Sequence, residues 1–382
     1  VTIQRVAIIY DDQVRPDTTG VYCRRALEGL VEVHHLPPHE LDRAAPGRFD
    51  LYLNIDDGLE YRLPPALRPC VWWAIDTHLN LPWYEAKAPD FDLIFTAQRD
   101  GAEALRAGGG GSASWLPLAC DPEIHRRHHV AEEFDVCFVG HLFPGPRSDL
   151  IRSLQRRHPR MFVGQRFFDA MARTYSASRL VFNRSIRNDV NMRVFEAAAC
   201  GSLLLTNDLT ENGLAELFRD GVHLATYRDE DELLDKAAYY LKRDARQGEI
   251  AARGRAEAMT RHTYRQRMET ILQAAAAVSA RATAGGFAAP AMQAQTQTGN
   301  GSASPTSIVI LTHGQLEATR ACLEALRRNT PEAHEVIVVD NASPDGTLEF
   351  LRRQPGVRVI ANPTNRGFPA AANQGIAATS CG

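Results

Sequence analysis

Along most of the chain, short apolar runs that end on polar or turn residues alternate with amphipathic stretches. "VAIIY" (6–10) reads as a strand and "TGVYCRRALEGLV" (19–31) as a helix with one apolar face. "VEVHHL", "DLYLNI" (50–55), "CVWWAI" (70–75) and "DLIFTA" (92–97) follow as strand-length runs. A second series opens at "FDVCFVG" (134–140), with a helix from about Arg147, then "RMFVG", "RLVFN" (179–183), a helix over "MRVFEAAAC" and the strand "SLLLT". It closes with "HLATY" and helices beginning near Asp229 and Tyr264. Apolar strands alternating with helices predict parallel sheets covered on both faces. Two such series in tandem predict two Rossmann-like, doubly wound domains, over residues 1–125 and 126–275, with a cleft at the carboxyl ends of their strands.

From about residue 276 to 305 the text is rich in Ala, Gly, Ser, Gln and Thr. Its first part reads as able to extend a helix, and from Gly285 it has neither periodicity nor core residues, so it reads as a flexible linker. A third α/β series occupies 306–382: "TSIVILTH", the helical "LEATRACLEALRRN", "EVIVVDNAS", a helix from Asp345, "VRVIAN" and "TNRGFPAAANQGIAAT". It stops before a full domain closes. The start at Val1 and the end at "SCG" read as the ends of a piece of a longer protein.

Composition changes this picture little. Of 382 residues, 44% are hydrophobic and 23% charged, and the formal net charge is −3, which gives no basis for bulk capture of nucleic acid or anionic membrane. The seven cysteines are scattered, without a Cys-x-x-Cys pair, and read as buried thiols of a reducing compartment. With no signal segment and no apolar run near 18 residues, a cytoplasmic location is expected; peripheral attachment at the inner membrane face is compatible with it. No histidine shows metal-ligand spacing, and the histidines other than His78, the His128–His129 pair included, read as solvated. The absence of G-x-G-x-x-G and of a P-loop argues against a dinucleotide oxidoreductase or an ATPase.

The candidate chemistry begins at "MRVFEAAACGSLLLTND" (192–208). Asp189 or Asn191 can cap this helix and Gly201 can end it. Arg193 and Glu196, three apart, share a face. An arginine beside a helix start suits a diphosphate, and a carboxylate one turn in can accept from two vicinal ribose hydroxyls. A plain Arg–Glu surface pair is the competing reading. In "FVGHLFPGPR" (138–147), Gly140 allows close approach of a ligand and Arg147 opens the next helix on the cleft side. In "WWAIDTHLN" (72–80), Asp76 and His78 lie just past a strand of the first domain, where an acceptor hydroxyl could lose its proton; a helix cap with an exposed histidine is the alternative. Asp121, before Pro122, reads as a turn cap, and "GGGG" (108–111) as a loop.

The stretch "RVFEAAACGSLLLTND…GLAELFRDGVHLATYRDEDELLDKAAYYL", with "WWAIDTH", "FDLIFTAQRDGAEAL", "WLPLACDPEIH" and "RHTYRQRM", resembles GT-B glycosyltransferases, closest to the CgeB-like family, over roughly residues 5–275. The resemblance implies that Glu196 holds the donor ribose; Arg193, Arg147, Gly140 and Asn183 are read beside it as further nucleotide-sugar contacts. Where many relatives carry another glutamate eight positions before, this chain has Asn188. The tail is similar to the start of glycosyltransferase family 2, of GT-A type. That implies nucleotide contacts from Thr312, Asp340, Asn365 and Gly367, and a divalent metal (Mg or Mn) on a later Asp-x-Asp that the sequence does not reach. The GT-B unit is expected to need no cofactor.

The expectation is therefore an α/β chain: a GT-B unit joined to a truncated GT-A segment, a multi-domain bacterial glycosyltransferase of cell-surface glycan biosynthesis. It would move sugar from a nucleotide-diphosphate donor to a glycan, lipid-linked or protein acceptor, with no nucleic acid partner and no transmembrane segment. The alternatives are an inactive GT-B-fold assembly protein of spore-coat type, a GT-B-fold sugar-nucleotide epimerase, and an α/β protein without a ligand.

Overall fold

The computed structural model describes residues 2–13, 18–109, 113–284, 306–330, 334–366 and 368–379, which form two compact units, 1–288 and 289–382. The first unit holds two sheets. Its first lobe runs β1 (Arg5–Ile9), α1 (Thr19–Glu28), β2 (Glu32–His35), β3 (Leu51–Ile55), β4 (Cys70–Ala74), α2 (Leu81–Lys87), β5 (Leu93–Thr96), α3 (Arg99–Ala107) and β6 (Ala113–Trp115). All six strands are parallel, in the order β2-β1-β3-β4-β5-β6. Side chains alternate across this sheet as the pleat requires. Ile8, Leu53 and Trp73 enter one apolar layer, while Ala7, Tyr52 and Trp72 enter the other.

The second lobe continues with β7 (Phe134–Val139), α4 (Pro146–Arg157), β8 (Met161–Gly164), α5 (Phe168–Ser176), β9 (Ser178–Asn183), α6 (Met192–Ala199), β10 (Leu203–Asn207), α7 (Leu214–Leu217), β11 (Ala225–Tyr227), α8 (Glu230–Leu241), α9 (Asp244–Arg261) and α10 (Tyr264–Ala284). Its five strands are parallel, ordered β11-β10-β9-β7-β8. In α8 the Asp229 carboxylate caps the Glu232 amide at 2.9 Å. Gly201, at φ 75°, closes α6 in the left-handed conformation expected after a helix end.

Two features depart from the sequence reading. The sequence reading names neither α5, whose buried face is Met171, Ala172 and Tyr175, nor α9, which carries no apolar stripe strong enough to announce it. The buried face of α9 is Ile250, Ala251, Gly254 and Ala258, mostly small residues that allow close packing on α6 and β10. Second, α10 leaves the second lobe and packs along α1 of the first. Tyr264 stacks on Tyr22 at 5.4 Å, and the segment before it runs beside the outgoing crossover. There Cys120 donates its amide to His262 and accepts from the Tyr264 amide, both at 2.9 Å, while Arg267 donates to the carbonyls of Pro117 and Leu118. One apolar core consequently extends from the first sheet through α1 and α10 to α6. The first part of the Ala-rich stretch, to Ala284, continues α10; the rest of the proposed linker, 285–305, lies outside the described residues.

The second unit runs β12 (Thr306–Thr312), α11 (Leu316–Asn329), β13 (His334–Asp340), α12 (Thr347–Arg352), β14 (Val357–Ala361) and α13 (Phe368–Ala377), with the strands parallel in chain order. The register pairs Thr312 with Asp340 and Asp340 with Ala361, so three strand ends are level. Among the described residues no helix is long and apolar enough to cross a membrane. The described cysteines are free; all are buried except Cys322, which is exposed.

Candidate functional site

A cavity of 370 Å³ lies where the strands of the two lobes end, at the topological switch point of each sheet. On the second-lobe side β7 ends at Val139, and the chain turns through Gly140 with φ 152°. That leaves the Val139 carbonyl open to Arg193, in the first turn of α6. Arg193 donates Nε and Nη2 to this carbonyl at 3.0 and 2.7 Å, and Nη1 to Asn183 Oδ1 at 2.6 Å. Its guanidinium lies 4.6 Å from the centre of the Phe138 ring. Arg147, from the start of α4, lies 5.6 Å from the same ring and donates Nε to the Arg184 carbonyl at 2.9 Å. Both arginines line the cavity. Burial, together with the charge of Arg193, pushes the Arg147 guanidinium down to about 10. Two like charges therefore share a desolvated wall, and an anion placed there would relieve them.

One turn further along α6, Glu196 is 6% exposed and lines the same cavity. Its Oε1 stands 3.8 Å from Nε2 of His125, a fully buried ring on the crossover between the lobes. Asp189 caps its own loop, accepting from the amides of Ile186 and Arg187 at 2.9 and 3.2 Å. The α6 N-cap position falls to Asn191, whose side chain makes no capping bond.

The first lobe contributes the ends of β3 and β4. Asp56 is saturated: its Oδ2 accepts from the amides of Ile75 and Asp76 at 2.8 and 3.1 Å and from the Tyr84 hydroxyl at 2.5 Å. It fixes the loop that presents Asp76 to the cavity. Asp57 also lines the cavity; burial raises its carboxyl above the ordinary range, while its Oδ2 accepts from the Asp11 amide at 2.7 Å.

In the second unit Thr312 and Asp340 sit side by side at their strand ends. Thr312 Oγ1 lies 3.0 Å from Thr319 Oγ1, and Asp340 Oδ2 accepts from the Ser343 amide at 3.2 Å. Asp340 Oδ1 is buried without a hydrogen-bond partner. Asn341 bridges to Asn365 Oδ1 at 2.7 Å and accepts the Arg366 amide at 3.0 Å, bringing this loop beside Asp340. Gly367 lies outside the described residues. Among the described residues no group of three His, Cys, Asp or Glu side chains could hold a metal ion.

The structure thus gathers Asp76, Gly140, Arg147, Arg193 and Glu196 around one cavity. Asn183 is fully buried beneath Arg193, its amide spent on Arg193 and Thr206, so it supports a cavity residue and does not reach the cavity itself. His78 is not among the lining side chains; its carbonyl accepts from Arg187 at 3.2 Å, and burial lowers its imidazole. The reading of the remaining histidines as solvated is overturned for His125, His262 and His128, whose rings are buried in the crossover, against Phe218 and beside Asp169 respectively. The sequence reading picked out neither Asp57, which lines the cavity, nor His125, which stands against Glu196, as a site residue. Asp57 carried a usable signal, since "LNIDDG" ends a strand just as "WWAIDTH" does.

Residues 132–273 match the family model described as Glycosyl transferase-like, and residues 307–381 match Glycosyl transferase family 2. No curated protein matches the chain. Among solved structures, the fold is similar to HepE of Anabaena in complex with UDP and glucose, at 13% identity, covering 72% of this chain and 99% of that one with a TM-score of 0.56. It is also similar to sucrose-phosphate synthase from Thermosynechococcus elongatus (12% identity, 73% and 100% covered, TM-score 0.53). A third is AviGT4, a glycosyltransferase involved in avilamycin A biosynthesis (15% identity, 73% and 98% covered, TM-score 0.51). These likenesses establish the GT-B fold of the first unit. Nothing in them singles out the CgeB-like branch.

Proposed function

We propose that this chain, a glycosyltransferase by its two family matches and its GT-B fold, transfers a sugar from a nucleoside diphosphate to an acceptor hydroxyl in the cavity of its first unit. The observation that carries the reading is the placement of Arg193 and Arg147 on one half-buried wall, with no carboxylate in an ion pair with either among the described residues. The diphosphate binds these guanidiniums beside Gly140, and Glu196 accepts from the ribose hydroxyls one turn along α6. The bond between the sugar's anomeric carbon and the diphosphate oxygen breaks as a bond to the acceptor oxygen forms. The acceptor's proton passes to Asp76, and the charge left on the diphosphate is met by the two arginines, whose positions are set before the reaction begins. Solved relatives of this fold that hold UDP and UDP-glucose support a nucleotide-sugar donor. The acceptor is a hydroxyl of a glycan, a lipid-linked sugar or a protein, bound on the first lobe.

In the second unit Thr312, Asp340 and Asn365 are assigned to the nucleoside end of a second donor, which the unpartnered Asp340 oxygen supports. A metal would supply charge to that donor's diphosphate; no described residue cluster would hold it. The whole reading is tested by thermal shift of the chain with UDP, GDP, ADP and CDP, repeated for Glu196→Ala. One or two should stabilise the wild type, and the variant should lose about 1–3 kcal/mol of that binding. Equal stabilisation of both proteins removes Glu196 from the site.

A further inference from the structure

His125 is a fully buried imidazole that the reaction as described does not use. Its hydrogen-bond roles follow from its neighbours. Nδ1 accepts the Asp121 amide at 2.9 Å, and an amide N–H can only donate, so Nδ1 carries no proton. In the neutral ring the proton is then on Nε2. Burial pushes this imidazole down to about 4, in keeping with a neutral ring. Nε2 is buried, meets no hydrogen-bond partner, and faces Glu196 Oε1 at 3.8 Å.

The ring is held from the first lobe. The Asp121 carboxylate binds Arg25 of α1 at 2.8 Å, the His125 amide donates back to the Asp121 carbonyl at 2.7 Å, and Tyr22 of α1 packs against the imidazole at 5.1 Å. An N–H fixed to one lobe is therefore aimed at a carboxylate carried by the other. We propose that His125 is a positioning residue for Glu196: its Nε2–H turns the carboxylate so that it presents acceptor lone pairs to the donor ribose. The inference rests on the proposed binding of ribose by Glu196. A closure of somewhat less than 1 Å brings the pair to hydrogen-bond distance, so the orientation of Glu196 is coupled to the approach of the lobes.

The test uses calorimetric titration of the full chain with whichever of UDP, GDP, ADP or CDP binds it, and with the 2′,3′-dideoxy form of that nucleotide. His125→Phe fills the space without a donor, and His125→Gln returns an N–H. Wild type should prefer the ribonucleotide. His125→Phe should lose roughly ten-fold for the ribonucleotide and little for the dideoxy form, His125→Gln should recover part of the loss, and the loss should vanish in a Glu196→Gln background. Equal weakening of both nucleotides in His125→Phe marks a merely structural ring and overturns the assignment, as does unchanged preference. If the wild type itself fails to distinguish the two nucleotides, or binds none of the four, the ribose reading of Glu196 falls and this inference with it.

Discussion

A β-carbon placed on Gly140 would stand 2.6 Å from the Arg193 guanidinium, so the absence of a side chain at one position is what lets the arginine lie across the end of β7. The backbone there, at φ 152°, is also one that other residues rarely adopt. Gly140→Ala should therefore displace Arg193 and weaken nucleoside diphosphate binding about 10–100-fold, the equivalent of about 1.5–3 kcal/mol for charge-assisted hydrogen bonds. Titration calorimetry checks it; unchanged affinity would show that Arg193 does not meet the phosphates.

Under the proposed function, Asn183 acts on the ligand only through that arginine, to which it is bonded from a fully buried position. Asn183→Ala should weaken binding several-fold in the wild type and have no further effect once Arg193 is replaced by Gln, since the two belong to one network. Additive losses in the double variant would place Asn183 in a separate role. Arg193→Lys should rescue little, because an ammonium cannot serve the Val139 carbonyl, Asn183 and an anion with the same planar fork.

Acid should expose the buried histidines. Burial pushes His262 and His125 down to about 4, against an ordinary value near 6.5. Between these values the unfolded chain takes up protons that the native rings exclude, so the contribution of these two rings to stability should fall as pH drops from about 6.5 toward 4 and stay level above. In His262→Gln one of these protons is removed from the balance. The melting-temperature gap between wild type and variant should narrow on acidification, and a constant gap would contradict the burial argument.

Lys87 makes the opposite end of the pH range informative. Its ammonium is buried among the rings of Tyr61, Trp72 and Trp83, donates to Asn54 at 3.2 Å, and is pushed down to about 8, chiefly by burial. Above that pH the native amine is neutral while the unfolded one stays charged up to its ordinary value near 10.5, so this group favours folding increasingly as pH rises across that window. The stability of wild type relative to Lys87→Met should grow from about pH 7 to pH 9.5, measured by thermal or chemical denaturation; a flat difference would mean that the cage holds the charged form.

Much of the fold was legible because strands buried on both faces leave apolar runs whatever their neighbours: "CVWWAI" and "SLLLT" needed no partner to be recognised. Helix α9 was not legible, since alanine and glycine pack a helix closely without producing a hydrophobic stripe. At the site, Arg193 and Glu196 could be found because charges in an otherwise core helix require an explanation. Asn183, at the end of an apolar strand, was found too, but nothing in a linear text distinguishes a residue that touches a ligand from one that holds the residue that does. His125 was hidden for the same reason: its neighbours in space Tyr22 and Glu196 are 103 and 71 positions away along the chain.

The return of the chain along its own crossover has a mechanical meaning. Two passes bonded to one another at Cys120 and Tyr264 form a strap of finite width, and a strap folds about a line far more readily than it twists. Any movement of the lobes should therefore follow gaping and shutting rather than swivelling, so that whatever is loaded on one jaw meets the same edge of the other at each bite.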